Sequence, residues 1–230
     1  KKMITGLVLL MLMSSGMVAA DYYDGLQAYN SGDFKTALAE WTPLAKQGHA
    51  QAQNNLGFMY DKGDGVPEND KTAVKWYTLA SKQGNANAQY NMGVMYANGD
   101  GVPENDKTAV KWYTLSAEQG SADAQYNLGN MYDRGDGVPE NDKTAVKWLT
   151  LAAKQGDARA QINLGVMYAN GEGVLTDNRR AYMWWNLGSY NGNKMAGENK
   201  DMIAKNMTPA DISKAQDMSS RCLNSGYTDC

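Results

Sequence analysis

A period of 36 residues governs this chain. The segment GDGVPENDKTAVKW occurs three times without change, at 63–76, 99–112 and 135–148. Gly57, Gly93, Gly129 and Gly165 keep the same register, as do Trp76, Trp112, Trp148 and Trp184. Met59-Tyr60, Met95-Tyr96, Met131-Tyr132 and Met167-Tyr168 mark it again. Self-similarity at this spacing means small units that cannot bury an apolar face alone and do so by stacking. This constraint predicts one all-α chain, an α/α superhelical solenoid of stacked antiparallel helix pairs, rather than separate domains.

Within a unit the apolar spacing is helical. Ala52, Leu56, Met59 and Tyr60 fall at i, i+4, i+7 and i+8, which is one stripe of a first helix. Gly57 interrupts that stripe at a cost of about 1 kcal/mol against alanine. Its recurrence predicts close approach of a neighbouring helix. Gly63 to Pro67 reads as a turn, and Asn69 or Asp70 caps a second helix. There Ala73, Trp76, Tyr77 and Ala80 form the stripe, with Trp76 and Tyr77 both expected in the core. Gly84 ends the helix, and Gln47-Gly48, Gln83-Gly84, Gln119-Gly120 and Gln155-Gly156 repeat that ending.

The expected organisation has a signal peptide at 1–20, a capping helix pair at 21–48 and four repeats at 49–84, 85–120, 121–156 and 157–192. Capping helices with a disulfide tail follow at 193–230. In the N-terminal pair Trp41 falls in the Tyr77 column. Near the other end Leu175 replaces the turn proline, and Thr208-Pro209 opens a last helix by a cap followed by proline. Lys1 and Lys2, an apolar run to Met13 and the small residues Val18-Ala19-Ala20 have the layout of a secretory signal. The run is short of the about 20 apolar residues of a membrane span, so no stable membrane anchor is expected after cleavage near Asp21. The expected location is periplasmic or secreted. Cleavage takes the net charge from −3 to −5, which argues against nucleic acid as a partner. Cys222 and Cys230 are the two cysteines, and an even count in an exported chain suggests a structural disulfide. A metal or redox pair is the alternative, but this spacing fits no common zinc pattern.

The runs AQYNMGVMY at 88–96, GDGV at 99–102 and AVKWY at 109–113 resemble the Sel-one-like repeat family, a relative of the tetratricopeptide repeats. The likeness spans Tyr22 to about Ala215, and AYMWWNL at 181–187 with Met207-Thr208-Pro209 resembles the usual end of bacterial members. The resemblance implies a superhelix whose concave face, lined by first helices, holds partner proteins or peptides. Exported bacterial members resemble envelope adaptors and regulators. A cysteine-rich subgroup linked to β-lactam hydrolysis carries a cysteine pair in each repeat, and this chain has none there.

A search for catalytic groups finds little. His49, the single histidine, shares its column with Asn85, Ser121 and Asp157, all helix-capping types. Neither G-x-S-x-G nor S-x-x-K occurs. An EF-hand frame with Gly65 at its sixth position would put Tyr60 and Lys62 at ligand positions and Lys71 at the twelfth. The GDG turn follows a helix rather than a strand, and its aspartate repels phosphate. The reading is therefore of a non-enzyme with no cofactor and no metal.

The copies themselves supply a comparison. Second helices hardly change, whereas first helices differ in columns. One column holds Gln51, Asn87, Asp123 and Arg159; another holds Asn54, Tyr90, Tyr126 and Ile162; a third holds Phe58, Val94, Asn130 and Val166. These lie near one helical face. They are expected to read the partner, together with the invariant Asn55, Asn91, Asn127 and Asn163, which hold either a peptide backbone or a neighbouring turn. Lys62, Asn98, Arg134 and Asn170 also vary. A protein or peptide scaffold is the leading class. A carbohydrate or cell-wall binder is the alternative and needs exposed rings, with Trp184, Trp185 and Tyr190 as candidates. A β-lactamase-like hydrolase ranks last.

Overall fold

The computed structural model describes residues 20–230. The signal-peptide expectation at 1–20 therefore lies almost wholly outside the described residues. Among these there are twelve helices and no strand. The N-terminal pair is α1 (Tyr22–Asn30) and α2 (Phe34–Lys46). The four repeats are α3 (Ala50–Lys62) with α4 (Asp70–Lys82), α5 (Ala86–Asn98) with α6 (Asp106–Glu118), α7 (Ala122–Arg134) with α8 (Asp142–Ala153), and α9 (Ala158–Asn170) with α10 (Asn178–Tyr190). They are followed by α11 (Lys194–Ala204) and α12 (Pro209–Asn224). Each helix from α1 to α10 packs on the next, and α12 turns back onto α10.

Local chemistry sets the helix starts. Asn69, Asn105 and Asn141 accept a hydrogen bond from the backbone N–H three residues on, at 2.9–3.0 Å. His49 does the same through Nδ1 to Ala52 N–H at 3.2 Å, so its role is a helix cap. Between the helices of a pair, the N–H of Asn105 closes the turn on the Tyr96 carbonyl at 2.8 Å. Gly101 inside that turn has φ +67°, and a Cβ there would lie 2.6 Å from the Asp70 carbonyl carbon. The turn of one unit thus rests on the backbone at the start of the previous unit's second helix.

The core lies between units as much as within them. One cluster joins α2 to α3, another α4 to α5, another α6 to α7, a fourth joins α8, α9, α10 and α12, and a small fifth joins α10 to α11. The mid-helix glycines explain themselves here. A Cβ on Gly57 would meet the Tyr77 ring at 2.7 Å, and one on Gly129 would meet Leu149 Cγ at 2.7 Å. A missing side chain on the first helix makes room for a large one on the second. The sequence reading put Trp76 in the core beside Tyr77, and this needs correction. Tyr77 is fully buried, while Trp76, Trp112 and Trp148 are half-buried. Each of these tryptophans packs against the cluster that joins the second helix of the previous unit to the first helix of its own. They are wedges between units.

A polar ladder runs through the same joints. Gln53, Gln125 and Gln161 are buried and donate to the carbonyls of Ala45, Ala117 and Ala153 at 2.9–3.1 Å. Gln83, Gln119 and Gln155 then donate to Gln53, Gln89 and Gln125 at 2.6–2.8 Å. Asn191 ends the ladder on Gln161, and the Tyr227 hydroxyl donates to Asn191 at 2.8 Å. Buried amides are tolerated because each finds a partner. Cys222 and Cys230 are joined in a disulfide, with Cα atoms 4.6 Å apart.

Candidate partner-binding face

The first helices α3, α5, α7 and α9 carry the variable columns. Gln51, Asn87, Asp123 and Arg159 are exposed. Tyr90, Tyr126, Val94 and Asn130 are half-buried, and Phe58 and Val166 are exposed. Two recesses open on this face and share Tyr90 as a common wall. The first, about 330 Å³, has walls of Leu26, Tyr29, Trp41, Phe58 and Tyr90. Its rim is made of Asn30, Asn54, Asn55, Asn87 and Asn91. The second, about 490 Å³, holds Val94, Tyr113, Tyr126, Asn127 and Asn130 between Asp106, Arg134 and Asp136.

Several expected contact residues do other work. Asn54 is buried, and its carbonyl oxygen accepts from Asn91 at 3.2 Å. Ile162 packs against the cluster of Ala181, Trp185 and Ala196 beneath α11. Arg159 pairs with Asp123 of the preceding unit and with its own cap Asp157, and lies 4.4 Å over the Tyr126 ring. The hydrogen bond to Asp157 holds its guanidinium well above the usual arginine range, with Asp123 adding to the effect. The invariant asparagines link first helices rather than turns. Asn55 donates to the Tyr22 hydroxyl at 3.3 Å and Asn163 to Asn130 at 2.7 Å. Asn127 lies beside the Tyr90 and Tyr113 hydroxyls, whose pKa values burial pushes up. Those phenols therefore stay protonated and able to donate.

At the other end, Trp184 and Trp185 are buried, so they form no exposed aromatic patch; Tyr190 is exposed. Among the described residues, no group of three His, Cys, Asp or Glu side chains is placed to hold a metal ion. No helix among them is long and apolar enough to cross a membrane.

The arrangement of helix pairs, glycine-turn-cap segments and a recessed first-helix face is matched by one repeat model four times. The Sel1 repeat model covers residues 50–85, 86–121, 122–157 and 158–193. The chain belongs to the Sel1 repeat family. The family frame starts each repeat one residue later than the frame read from the histidine and asparagine caps. Among solved structures, a Sel1 repeat protein from Oxalobacter formigenes is 36% identical, with a TM-score of 0.72. That match covers 76% of this chain and 72% of the other. A protective antigen present in uropathogenic Escherichia coli strains, displaying an SLR fold, is 30% identical with a TM-score of 0.78. It matches 88% of this chain, which spans about half (47%) of the antigen. No curated protein matches the chain. Sel1 repeats generally serve as protein-interaction scaffolds and are typically non-catalytic.

Four groups lining the first recess were not legible as site residues: Leu26, Tyr29, Asn30 and Trp41. They come from the N-terminal pair, where the period is broken. Tyr29 also ties that pair to the first repeat, donating from its hydroxyl to Asp64 Oδ2 at 2.6 Å. Burial, with help from that bond and the Asp64 charge, pushes its pKa from 10.0 up to about 12. A raised folded-state pKa favours the protonated phenol, so this contribution is whole below pH about 10 and is lost between about 10 and 12. In urea titrations across that window, wild-type stability should fall more steeply than that of Tyr29→Phe. Equal slopes would remove Tyr29 as a source of the alkaline loss.

Proposed function

We propose that this protein is an exported, non-catalytic Sel1 repeat scaffold that binds a protein or peptide partner along its first-helix, concave face. One observation carries the reading: variable-column residues of the first three repeats, among them Phe58, Tyr90, Val94, Tyr126 and Asn130, line two adjoining recesses, while Gln51, Asp123 and the fourth repeat's Arg159, Ile162 and Val166 line neither. Second helices repeat an unchanged segment, as a shared joint requires, while first helices vary where a partner would lie. Export is supported by the basic, apolar and small-residue order of residues 1–20. Amino-terminal sequencing of the periplasmic or secreted protein is expected to begin near Asp21; a product that retains Lys1 would overturn export by this route.

The face is tested with the double variant Tyr90→Ala, Tyr126→Ala in the producing cell. A photocrosslinker at Asn130 should trap a discrete partner in the wild type, and the double variant should reduce that adduct at least about tenfold. The same probe at Lys111 on the second-helix side should give no such adduct. Retained capture with an unchanged helical spectrum, or the same adduct from Lys111, rejects the assignment.

A further inference from the structure

We infer that the recess between the N-terminal pair and the first two repeats is a socket for one uncharged side chain, aromatic or branched apolar, of an extended partner peptide. The inference rests on the concave-face reading and adds the chemistry and register of the partner.

The socket is preformed. Trp41, its floor, is 1% exposed and donates from Nε1 to the Tyr22 carbonyl at 3.1 Å. Tyr29 stacks on Trp41 with ring centroids 5.7 Å apart and meets Phe58 edge-on at 6.3 Å. These rings fix each other, so little ordering is left for a ligand to impose. The volume, about 330 Å³, is at the small end for ligand sites and suits one large side chain with its backbone.

Its lining selects against charge. No carboxylate, ammonium or guanidinium group lines it. The nearest charges already have partners: Asp64 accepts from the Tyr29 hydroxyl, and Lys62 pairs with Asp61 at 2.9 Å while its ammonium lies 5.8 Å over the Phe58 ring. An ionised side chain would lose hydration here and meet no counter-charge among the lining groups. An apolar side chain would bury against four rings and Leu26.

The rim suits a peptide backbone. Asn91 donates to Asn54, Asn54 donates to Asn55 at 3.3 Å, and Asn55 donates to Tyr22. That chain occupies one N–H of Asn91 but leaves its carbonyl oxygen without a partner among the described residues, and Asn87 is exposed. One acceptor and one free amide at the mouth match the donor and acceptor of a peptide unit.

Among the described residues the socket also occurs only once. Three of its four apolar walls besides Tyr90 belong to the N-terminal pair, outside the matched repeats. The fourth, Phe58, is replaced by Val94, Asn130 and Val166 in the later copies. On a face built of near-identical steps, a partner gripped by the repeated groups alone can slide by one unit at little cost. A single socket at one end breaks that degeneracy and sets the register.

The test uses the full chain and four blocked amino acids: N-acetyl-leucinamide, N-acetyl-phenylalaninamide, N-acetyl-aspartamide in its ionised α-linked form, and N-acetyl-lysinamide. At about 10 mM, the first two should shift the side-chain amide NMR signals of Asn55, Asn87 and Asn91, with binding about tenfold tighter than the charged pair. Phe58→Asp should abolish the difference, while Phe58→Val, carrying the residue found at Val94, keeps the fold and weakens it. No shift at those asparagines, or equal binding of the charged probes, overturns the socket. Crosslinking separates this from the broader reading. If Phe58→Asp leaves the Asn130 adduct and its position unchanged while the tyrosine double variant removes it, the socket is wrong and the face stands. If neither variant affects the adduct, the face itself is wrong.

Discussion

Gly101→Ala is expected to lower stability by about 3 kcal/mol, although it adds a single methyl group in a surface turn. Two costs combine. Alanine at φ +67° sits in the left-handed region, at about 1–2 kcal/mol. The methyl also has to occupy space 2.6 Å from the Asp70 carbonyl carbon and 2.7 Å from its oxygen. Those atoms belong to a helix backbone and cannot rotate away as a side chain end can, so overpacking adds about 1–3 kcal/mol. Gly84→Ala provides the control. Its φ is +83°, but nothing lies within 4 Å of the added carbon. It should therefore cost only the conformational part, about 1–2 kcal/mol. Thermal unfolding followed by helical circular dichroism compares the pair. Equal losses would show that the turn does not bear on the preceding unit.

Ending the chain before α12 should have the other large effect. In the fourth repeat Met183, Trp184 and Leu187 are nearly or wholly inaccessible, in one cluster with Cys222 and with Met218, Leu223 and Tyr227 beside it. Lys147 and Leu151 occupy the positions of Met183 and Leu187 one copy earlier, and both are exposed. The last second helix is therefore adapted to lie under a cover. Uncovering three large apolar side chains costs up to about 5 kcal/mol by area bookkeeping, an upper estimate. The truncated chain should melt at lower temperature in its C-terminal part and bind an apolar dye. A monomer with unchanged melting would refute the capping role. Reducing the Cys222–Cys230 bridge should have a smaller effect, roughly 2–3 kcal/mol on the loop-entropy account of a short ring.

Much of the fold was legible because its signals are local. Helix starts at Asn69 and His49, helix stops before glycine, and the 36-residue register all follow from short-range chemistry. The glycine at 57 announced a close neighbour, and a ring of the paired helix is that neighbour. The tryptophans were harder. Trp76 and Tyr77 are adjacent on one apolar stripe, and periodicity cannot say which points at its own partner and which at the previous unit. That depends on the offset between units. The same limit applies to the site. Disagreement between copies located the face, but could not show that Asn54 turns inward, that Arg159 closes on Asp123, or that α11 covers Ile162. The buried Gln53 column gave no signal in the sequence, because its partners lie in other helices. Tyr29 and Trp41 escaped notice as lining residues because the N-terminal pair departs from the repeat that made the rest readable.

The seat of Gly101 on Asp70 recurs for Gly137 on Asp106 and Gly173 on Asp142. At the turns, each step of the array is thus gauged by main chain against main chain, in a contact that the variable side chains do not make. A copy inherited or lost whole leaves that seat intact between the units that then meet. The identical 14-residue segments are also natural places for recombination to cut between copies and rejoin in frame. A lineage gaining one copy would lengthen its groove by one step while retaining the same socket at the start. Groove length and anchoring chemistry are then separately heritable traits of one molecule.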